Sequence, residues 1–326
     1  MTEARRGAGQ PAQGGPEEIT TAGLRSAVGE CLPLPGSGRT KDRWDALTSL
    51  ARHDLPLAKL VEPHHDALAI MAELGHPAPP ASSVWAVWAA EPPFAVLAAT
   101  SDGDGWTLSG RKAFCSGASL VTHALVTAIA DDGPRLFAVD LSAPGLATDP
   151  DAPAWSGPGM RRADTRTLLL DNVPAVPVGG PGDYTRRPGF WLGAIGIAAC
   201  WLGGAAGVAD LLEAGSERLD AHRLAHLGAV RADLLTASLA LEAAARRVDA
   251  EELDLVALER LALALRASVA ELVEDVVSRV GRALGPGPLA FDATHAARVA
   301  DLQVFVRQHH AEPDLERLGT LGGPVV

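Results

Sequence analysis

From Trp44 onward, apolar residues recur at three- and four-residue spacing: Trp44, Leu47, Leu50 and Ala51, then Leu57, Leu60 and Val61, then Leu68, Met71, Ala72 and Leu74. That spacing lines one face of an α-helix and predicts a helical region, whose last helix is stopped by Gly75 and Pro77. The period then shortens to two. Val84–Ala90, Trp106–Leu108, Lys112–Ser116, Ala124–Ala130, Arg135–Asp140 and Thr167–Leu170 predict strands. Turns separate them at Asp102-Gly103-Asp104-Gly105, Asp131-Asp132-Gly133-Pro134 and Ala143-Pro144-Gly145, and Asp171-Asn172-Val173-Pro174 closes the set. Short strands at this spacing suit a small antiparallel barrel or sandwich. Beyond residue 185 the helical period returns, over 189–214, 216–247, 251–284 and 293–312, with Ala and Leu inside and Arg, Glu and Asp outside. This predicts an antiparallel four-helix bundle.

The organisation expected is therefore α+β: a polar Gly/Pro-rich tail without structure at 1–16, an N-terminal helical domain at 17–81, a β domain at 82–177 and a C-terminal bundle at 185–326. Residues Gly189–Val208 carry no charge and contain a Gly203-x-x-x-Gly207 pair, so they meet the length for a membrane span. Their Gly/Ala-rich composition instead predicts a tightly packed central helix. The net charge of −12 argues against nucleic acid as a partner, and no signal peptide is expected. Cys31, Cys115 and Cys200 are far apart and make no metal spacing, which fits a reduced, cytoplasmic setting. Lysine is nearly absent and the basic residues are mostly Arg. His64 and His65 are adjacent on a helix and so point about 100° apart, which predicts polar groups at a helix surface or a domain contact and no metal site.

The most informative stretch is Asp104-Gly105-Trp106-Thr107-Leu108-Ser109-Gly110-Arg111-Lys112-Ala113-Phe114-Cys115-Ser116-Gly117. It reads as strand, turn and second strand, and it resembles the middle domain of the acyl-CoA dehydrogenase family. The order helical region, β domain, four-helix bundle resembles that family too, with a shortened N-terminal domain. The resemblance implies a flavoprotein holding FAD, in which Phe114 covers the flavin ring and the hydroxyl of Ser116 meets its N5. Trp88-Ala89-Ala90-Glu91-Pro92 is similar to the family's strand ending in T-E-P, with Ala90 in place of the flavin-contacting Thr. Pro93–Leu97 replaces the G-S-D loop that helps bind the acyl thioester. Gly159–Arg166 resembles a family marker whose arginines are expected to make structural ion pairs. By the same resemblance Arg223 reaches the FAD diphosphate across a subunit contact, and Gly285 and Gly287 pass the adenosine. This implies a homodimer or homotetramer.

The resemblance also bears on chemistry. The C-terminal helix of the family carries a Glu that removes the α-proton of a thioester while hydride passes to the flavin. By spacing from Asp301, His309 takes that place, with His310 beside it and Glu312 one turn on. An imidazole titrates near neutral pH and can act as a base. The first expectation is thus an FAD-dependent desaturase of a small acyl thioester, passing electrons to an electron-transfer flavoprotein. The second is a two-component flavin monooxygenase, which is built on the same fold and uses a His. The third is a degenerate subunit of a hetero-oligomer.

Overall fold

A computed structural model describes residues 15–322 apart from 104, 216, 218 and 219. The expected tail therefore lies outside the described residues up to residue 14, as does Asp104 of the first turn.

Helices α1 (Thr21–Ala27), α2 (Thr40–His53) and α3 (Leu55–Glu73) form the N-terminal region. Asp54 separates α2 from α3, and its carboxylate accepts the Leu57 N–H at 3.0 Å. This is an N-cap for α3, reinforced by Pro56 in the first turn. The middle region holds β1 (Trp85–Trp88), β2 (Leu97–Ser101), β3 (Trp106–Cys115), β4 (His123–Ala130), β5 (Gly133–Asp140), β6 (Leu146–Thr148) and β7 (Arg166–Val178). β4 pairs β5 on one edge and β1 and β2 on the other, and β2–β3–β7–β5 returns to β4. The ring closes as a barrel, which leaves few free strand edges. It is antiparallel except where β1 and one residue of β2 run parallel to β4.

Several strand expectations change. Leu97–Ser101 forms β2 and Leu146–Thr148 forms β6, where no strands were predicted, and the two strands expected at 106–108 and 112–116 are one, β3, with a bulge at Gly110 in place of a turn. β7 also continues through Asp171–Pro174 instead of ending there. Asn172 sits at φ +52°, the ladder slips beside it, and the strand passes from β3 to β5 after Ala175. The turn-forming residues mark a bulge in a strand that changes neighbours.

The bundle holds α4 (Asp183–Arg186), α5 (Pro188–Ala214), α6 (Ala221–Ala250), α7 (Leu255–Leu284), α8 (Gly287–Phe291), α9 (Ala293–Phe305) and α10 (Glu312–Thr320). By length and composition α5 and α6 could cross a membrane; α5 is mostly buried here, enclosed by α2, α3, α7 and α9. Its glycines mark close approaches. A Cβ on Gly203 would lie 2.1 Å from the Thr48 carbonyl oxygen, and one on Gly207 2.5 Å from that of Arg52. The backbones of α2 and α5 therefore touch, which only Gly permits.

α3 ties the regions together. Ala67, Ile70 and Met71 pack on Trp85, Leu125, Leu136, Ala138 and Val178 of the barrel. Another face carries Glu62 and Asp66, opposite Gly196 and Gly193 of α5. Burial pushes the Glu62 carboxyl up to about 8 and raises Asp66 as well.

His64 and His65 lie at the contact of α3 with β1, and both are buried. The Trp85 N–H donates to His64 Nδ1 at 3.1 Å. Burial lowers their pKa values to about 4 and about 3. Both rings are neutral in the fold and return to about 6.5 on unfolding. Their contribution to stability is full above pH 6.5 and is lost as pH falls through 4 and then 3. Glu62 and Asp66, shifted upward, act in the opposite sense, so the histidine term is read by difference. Between pH 7 and pH 4, His65→Gln is expected to lose fewer degrees of thermal midpoint than the wild type. Equal losses would contradict the assignment.

Candidate active site

β3 ends in a bulge. Lys112 pairs Leu168 and Cys115 pairs Arg166, so three steps along β3 face two along β7. Lys112, Ala113 and Cys115 all point inward as a result, and Phe114 alone turns out. It lies at φ +58° with about half its surface exposed. A bulky residue in the left-handed region is strained, and such strain persists where the surroundings impose it, commonly at functional sites. Lys112 is held inside the barrel by the Thr127 carbonyl at 2.7 Å and its hydroxyl at 2.8 Å.

Ser116 follows in a tight turn. Its N–H donates to the Phe114 carbonyl at 3.0 Å, its carbonyl accepts the Trp88 indole N–H at 3.0 Å, and its hydroxyl shares a 3.0 Å bond with Thr165. Thr165 is brought there by the Gly159–Arg166 segment, which crosses the end of α9. A Cβ on Gly159 would lie 2.3 Å from the Ala300 carbonyl oxygen, and the Met160 N–H donates to Asp301 Oδ1 at 2.5 Å. Burial raises the Asp301 pKa to about 6, against the pull of that N–H. The arginines here make ion pairs, Arg162 with Asp54 and Arg166 with Asp164, both at 2.7 Å. This segment thus clamps the barrel to the bundle and carries Met160, Ala163 and Thr165 to one place.

That place is a cavity of about 460 Å³. Ala90, Phe114 and Ser116 line it from the barrel, with Met160, Ala163 and Thr165 from the clamp segment and Trp155 from just before it. From the helical side come Lys59 of α3, Val304 and Phe305 of α9, and then Arg307, Gln308 and His310. Phe94 meets Phe114 edge to face, with ring centroids 6.2 Å apart, and is not part of the lining. The loop that replaces the G-S-D segment therefore leaves the crevice open.

The expected fourth helix of 293–312 ends at Phe305. A 3-10 turn covers Val306–Gln308, His309 is extended, and Ala311 adopts φ +52° before α10 begins. Pro313 lies in the first turn of α10, where its missing N–H costs nothing, and it bars the earlier helix from running on through residues 309–312. It redistributes the three residues expected to carry the chemistry. His309 is nearly enclosed, edge-on to Trp201 at 6.3 Å, and its Nδ1 accepts the Ala311 N–H at 3.2 Å. Burial lowers its pKa, with Asp314 opposing. Arg266 holds this corner by donating to the Ala194 and Gln308 carbonyls at 3.0 Å each. His310 reaches the cavity, with its Nδ1 3.3 Å from Asp314. Glu312 opens α10, is exposed and does not line the cavity. The i, i+3 geometry expected of His309 and Glu312 is absent, because no single helix contains both.

Among the other expected residues, Ala90, Phe114 and Ser116 converge on the cavity. Arg223 stands exposed in the first turn of α6, 3.7 Å from Asp220. Gly285 ends α7 and Gly287 begins α8. These three are not in the cavity lining of this chain. Met160 and Thr165 were signalled by their motif, with no role attached. Lys59, Trp155, Phe305 and Gln308 had no local signal, because their part in the site arises from tertiary contact.

Residues 93–173 match the family model described as acyl-CoA dehydrogenase, middle domain. No curated protein matches the chain in sequence. Solved structures match over nearly its whole length. KijD3 in complex with FMN and dTDP-3-amino-2,3,6-trideoxy-4-keto-3-methyl-D-glucose is 23% identical with a TM-score of 0.76, over 92% of this chain and 84% of that one. TdsC from Paenibacillus sp. A11-2, a dibenzothiophene monooxygenase, in complex with FMN and indole, is 19% identical with a TM-score of 0.73, over 92% and 88%. The methanesulfinate monooxygenase MsuC from Pseudomonas fluorescens is 19% identical with a TM-score of 0.74, over 93% and 90%. At these identities the likeness is one of fold.

Proposed function

We propose that this chain, which has the acyl-CoA dehydrogenase-like fold and that family's middle domain, is a flavin-dependent oxidoreductase that works as a monooxygenase. The residues present suit a flavin ring: Phe114 offers an outward aromatic face, Ser116 and Thr165 offer hydroxyls beside it, and Ala90 leaves space at the end of β1. When bound in its reduced form, flavin supplies the two electrons with which one atom of dioxygen enters an organic substrate and the other leaves as water.

The observation that carries the reading is the lining itself, which contains no Asp or Glu among the described residues. Desaturation of an acyl thioester needs a base at the reacting carbon. The position that sequence spacing assigns to that base, His309, faces Trp201 in the bundle. What the cavity offers is His310, whose imidazole can hold or pass a proton and is oriented by Asp314. Trp155, Met160 and Phe305 supply apolar walls that keep water away. The dehydrogenase reading, with an acyl thioester and an electron-transfer flavoprotein, has less support, and FMN is put ahead of FAD because it is the flavin in the KijD3 and TdsC complexes. A homo-oligomer is supported by apolar side chains left exposed on the bundle, among them Leu235, Leu239 and Phe291.

The test is uptake of FMN and FAD, oxidised and photoreduced, by the purified protein under nitrogen, followed by addition of butyryl-CoA and octanoyl-CoA. Tighter binding of reduced flavin and no bleaching of oxidised flavin by the thioesters are expected. Bleaching would restore the desaturase, and no uptake of any flavin would remove the flavin reading. With a substrate in hand, His310→Ala is expected to lower turnover about 10²-fold, the usual scale for a lost proton-transfer group, with flavin affinity kept. His309→Ala should instead lower the thermal midpoint, because it removes packing against Trp201. Exchanged phenotypes would assign the chemistry to His309.

A further inference from the structure

The charged groups of the cavity lining are all cationic. Lys59 and Arg307 line it beside the imidazole of His310, and no carboxylate does, in a chain of net charge −12. Arg307 is taken up by Glu274 at 2.5 Å and His310 by Asp314 at 3.3 Å. Lys59 differs. Among the described residues its Nζ has no hydrogen-bond or ion-pair partner, and it stands 5.5 Å from the ring centroid of Phe305. Glu62, one turn along α3, acts on it only as a more distant charge, and burial lowers the lysine's pKa. Gly196 leaves the Glu62 carboxylate room against α5, 3.9 Å from where a Cβ would sit.

Taking an ammonium group out of water without a partner is costly, and folded proteins avoid it unless something else meets the charge. Composition sharpens the point. The chain has only three lysines, Lys41, Lys59 and Lys112, among 28 basic residues. Lys112 fills an internal role with two bonds to Thr127, whereas Lys59 faces the cavity with only the Phe305 ring face and the more distant Glu62 charge near it, and no hydrogen-bond acceptor of the protein among the described residues.

We propose that Lys59 anchors an anionic group on the substrate, so that the enzyme takes a compact apolar acid, with its carboxylate or equivalent oxyanion at Nζ and its hydrocarbon body against Trp155, Met160 and Phe305. This rests on reading the cavity as the site of flavin and substrate together. Lys59 reaches it from α3, across from the barrel side that carries Phe114 and Ser116. A point charge on a flexible stem suits a single oxyanion, and the apolar walls suit the rest of a small acid better than a nucleotide-sized thioester.

The test uses matched acids and amides, which have one shape and differ in charge: benzoate and benzamide, phenylacetate and phenylacetamide, isovalerate and isovaleramide. Each is titrated calorimetrically into the protein, both flavin-free and loaded with FMN. At least one acid is expected to bind tenfold or more tightly than its amide. Lys59→Met should abolish that preference, and Lys59→Arg should keep part of it. A thermal midpoint for Lys59→Met equal to or above that of the wild type shows that the variant folds, since it replaces a part-buried ammonium that lacks an ion-pair partner with an apolar side chain of similar length. No preference for any acid in the wild type, or a preference unchanged in Lys59→Met, overturns the proposal. So does a tenfold loss of reduced-FMN affinity in Lys59→Met with acid binding intact, which would give the lysine to the flavin. Acid preference without flavin uptake would refute the function proposed above and leave the anion site standing; flavin uptake without acid preference would do the reverse.

Discussion

Gly203→Ala is expected to destabilise the protein by about 3 kcal/mol or more, the scale of an overpacked core whose backbone must move. The sign is opposite to intrinsic propensity, since Gly to Ala in a helix interior ordinarily gains about 1 kcal/mol. Here the new Cβ would stand 2.1 Å from the carbonyl oxygen of Thr48 and 2.9 Å from the Ala51 Cβ. Neither atom is the loose end of a flexible side chain, so α2 and α5 must separate. Separation loosens Trp44, Leu47 and Ala51, all buried between them and their neighbours. Gly228 in α6 is the control, because a Cβ there meets nothing within 4 Å. Gly228→Ala should raise stability by about 0.5–1 kcal/mol. Urea unfolding of both variants checks the pair. A Gly203→Ala protein as stable as the wild type would mean that α2 and α5 are not in backbone contact.

Phe114→Gly is expected to separate two properties that usually fall together. Flavin affinity should drop about 10- to 100-fold, as an aromatic face that covers another ring is worth roughly 1.5–3 kcal/mol of burial and stacking. Stability of the flavin-free protein should not fall, and it can rise by up to about 1 kcal/mol, because φ +58° strains Phe and suits Gly. Little packing is lost, since the ring is about half exposed. Phe114→Ala keeps most of the strain and should lose affinity without the gain. Flavin fluorescence titration and thermal unfolding, run side by side, read both quantities. Wild-type flavin affinity in Phe114→Gly would place the cofactor away from this residue, and with it the site.

The parts legible in the sequence are those set by near neighbours along the chain. The alternation of Trp106–Ser116 was legible as extended chain, but the turn expected at Gly110 is a bulge inside one continuous strand, and Phe114 and Ser116 both line the cavity. The Gly-rich run at 189–208 read as a packed helix and is one. β2 was not legible because Pro92 and Pro93 precede it and only pairing with β3 makes Leu97–Ser101 a strand. The continuity of β7 was hidden because Asp171–Pro174 has the composition of a turn, and its neighbours on both sides hold it extended.

The site divides in the same way. Counting residues from Asp301 along one ideal helix put His309 at the base position, and a helix that stops at Phe305 gives the cavity to His310 instead. Lys59 shows the limit most clearly: in the sequence it is one polar residue on a helix, and it becomes a cavity group only because α3 lies between barrel and bundle. Periodicity, turn chemistry and motif spacing act over a few residues, so the chain alone determined its helical, barrel and bundle segments and the turn that carries Phe114 and Ser116. Which charges meet, which histidine is exposed and where a cavity stays open depend on ring closure, a bulge and a helix break, whose energies come from contacts between residues far apart in the chain.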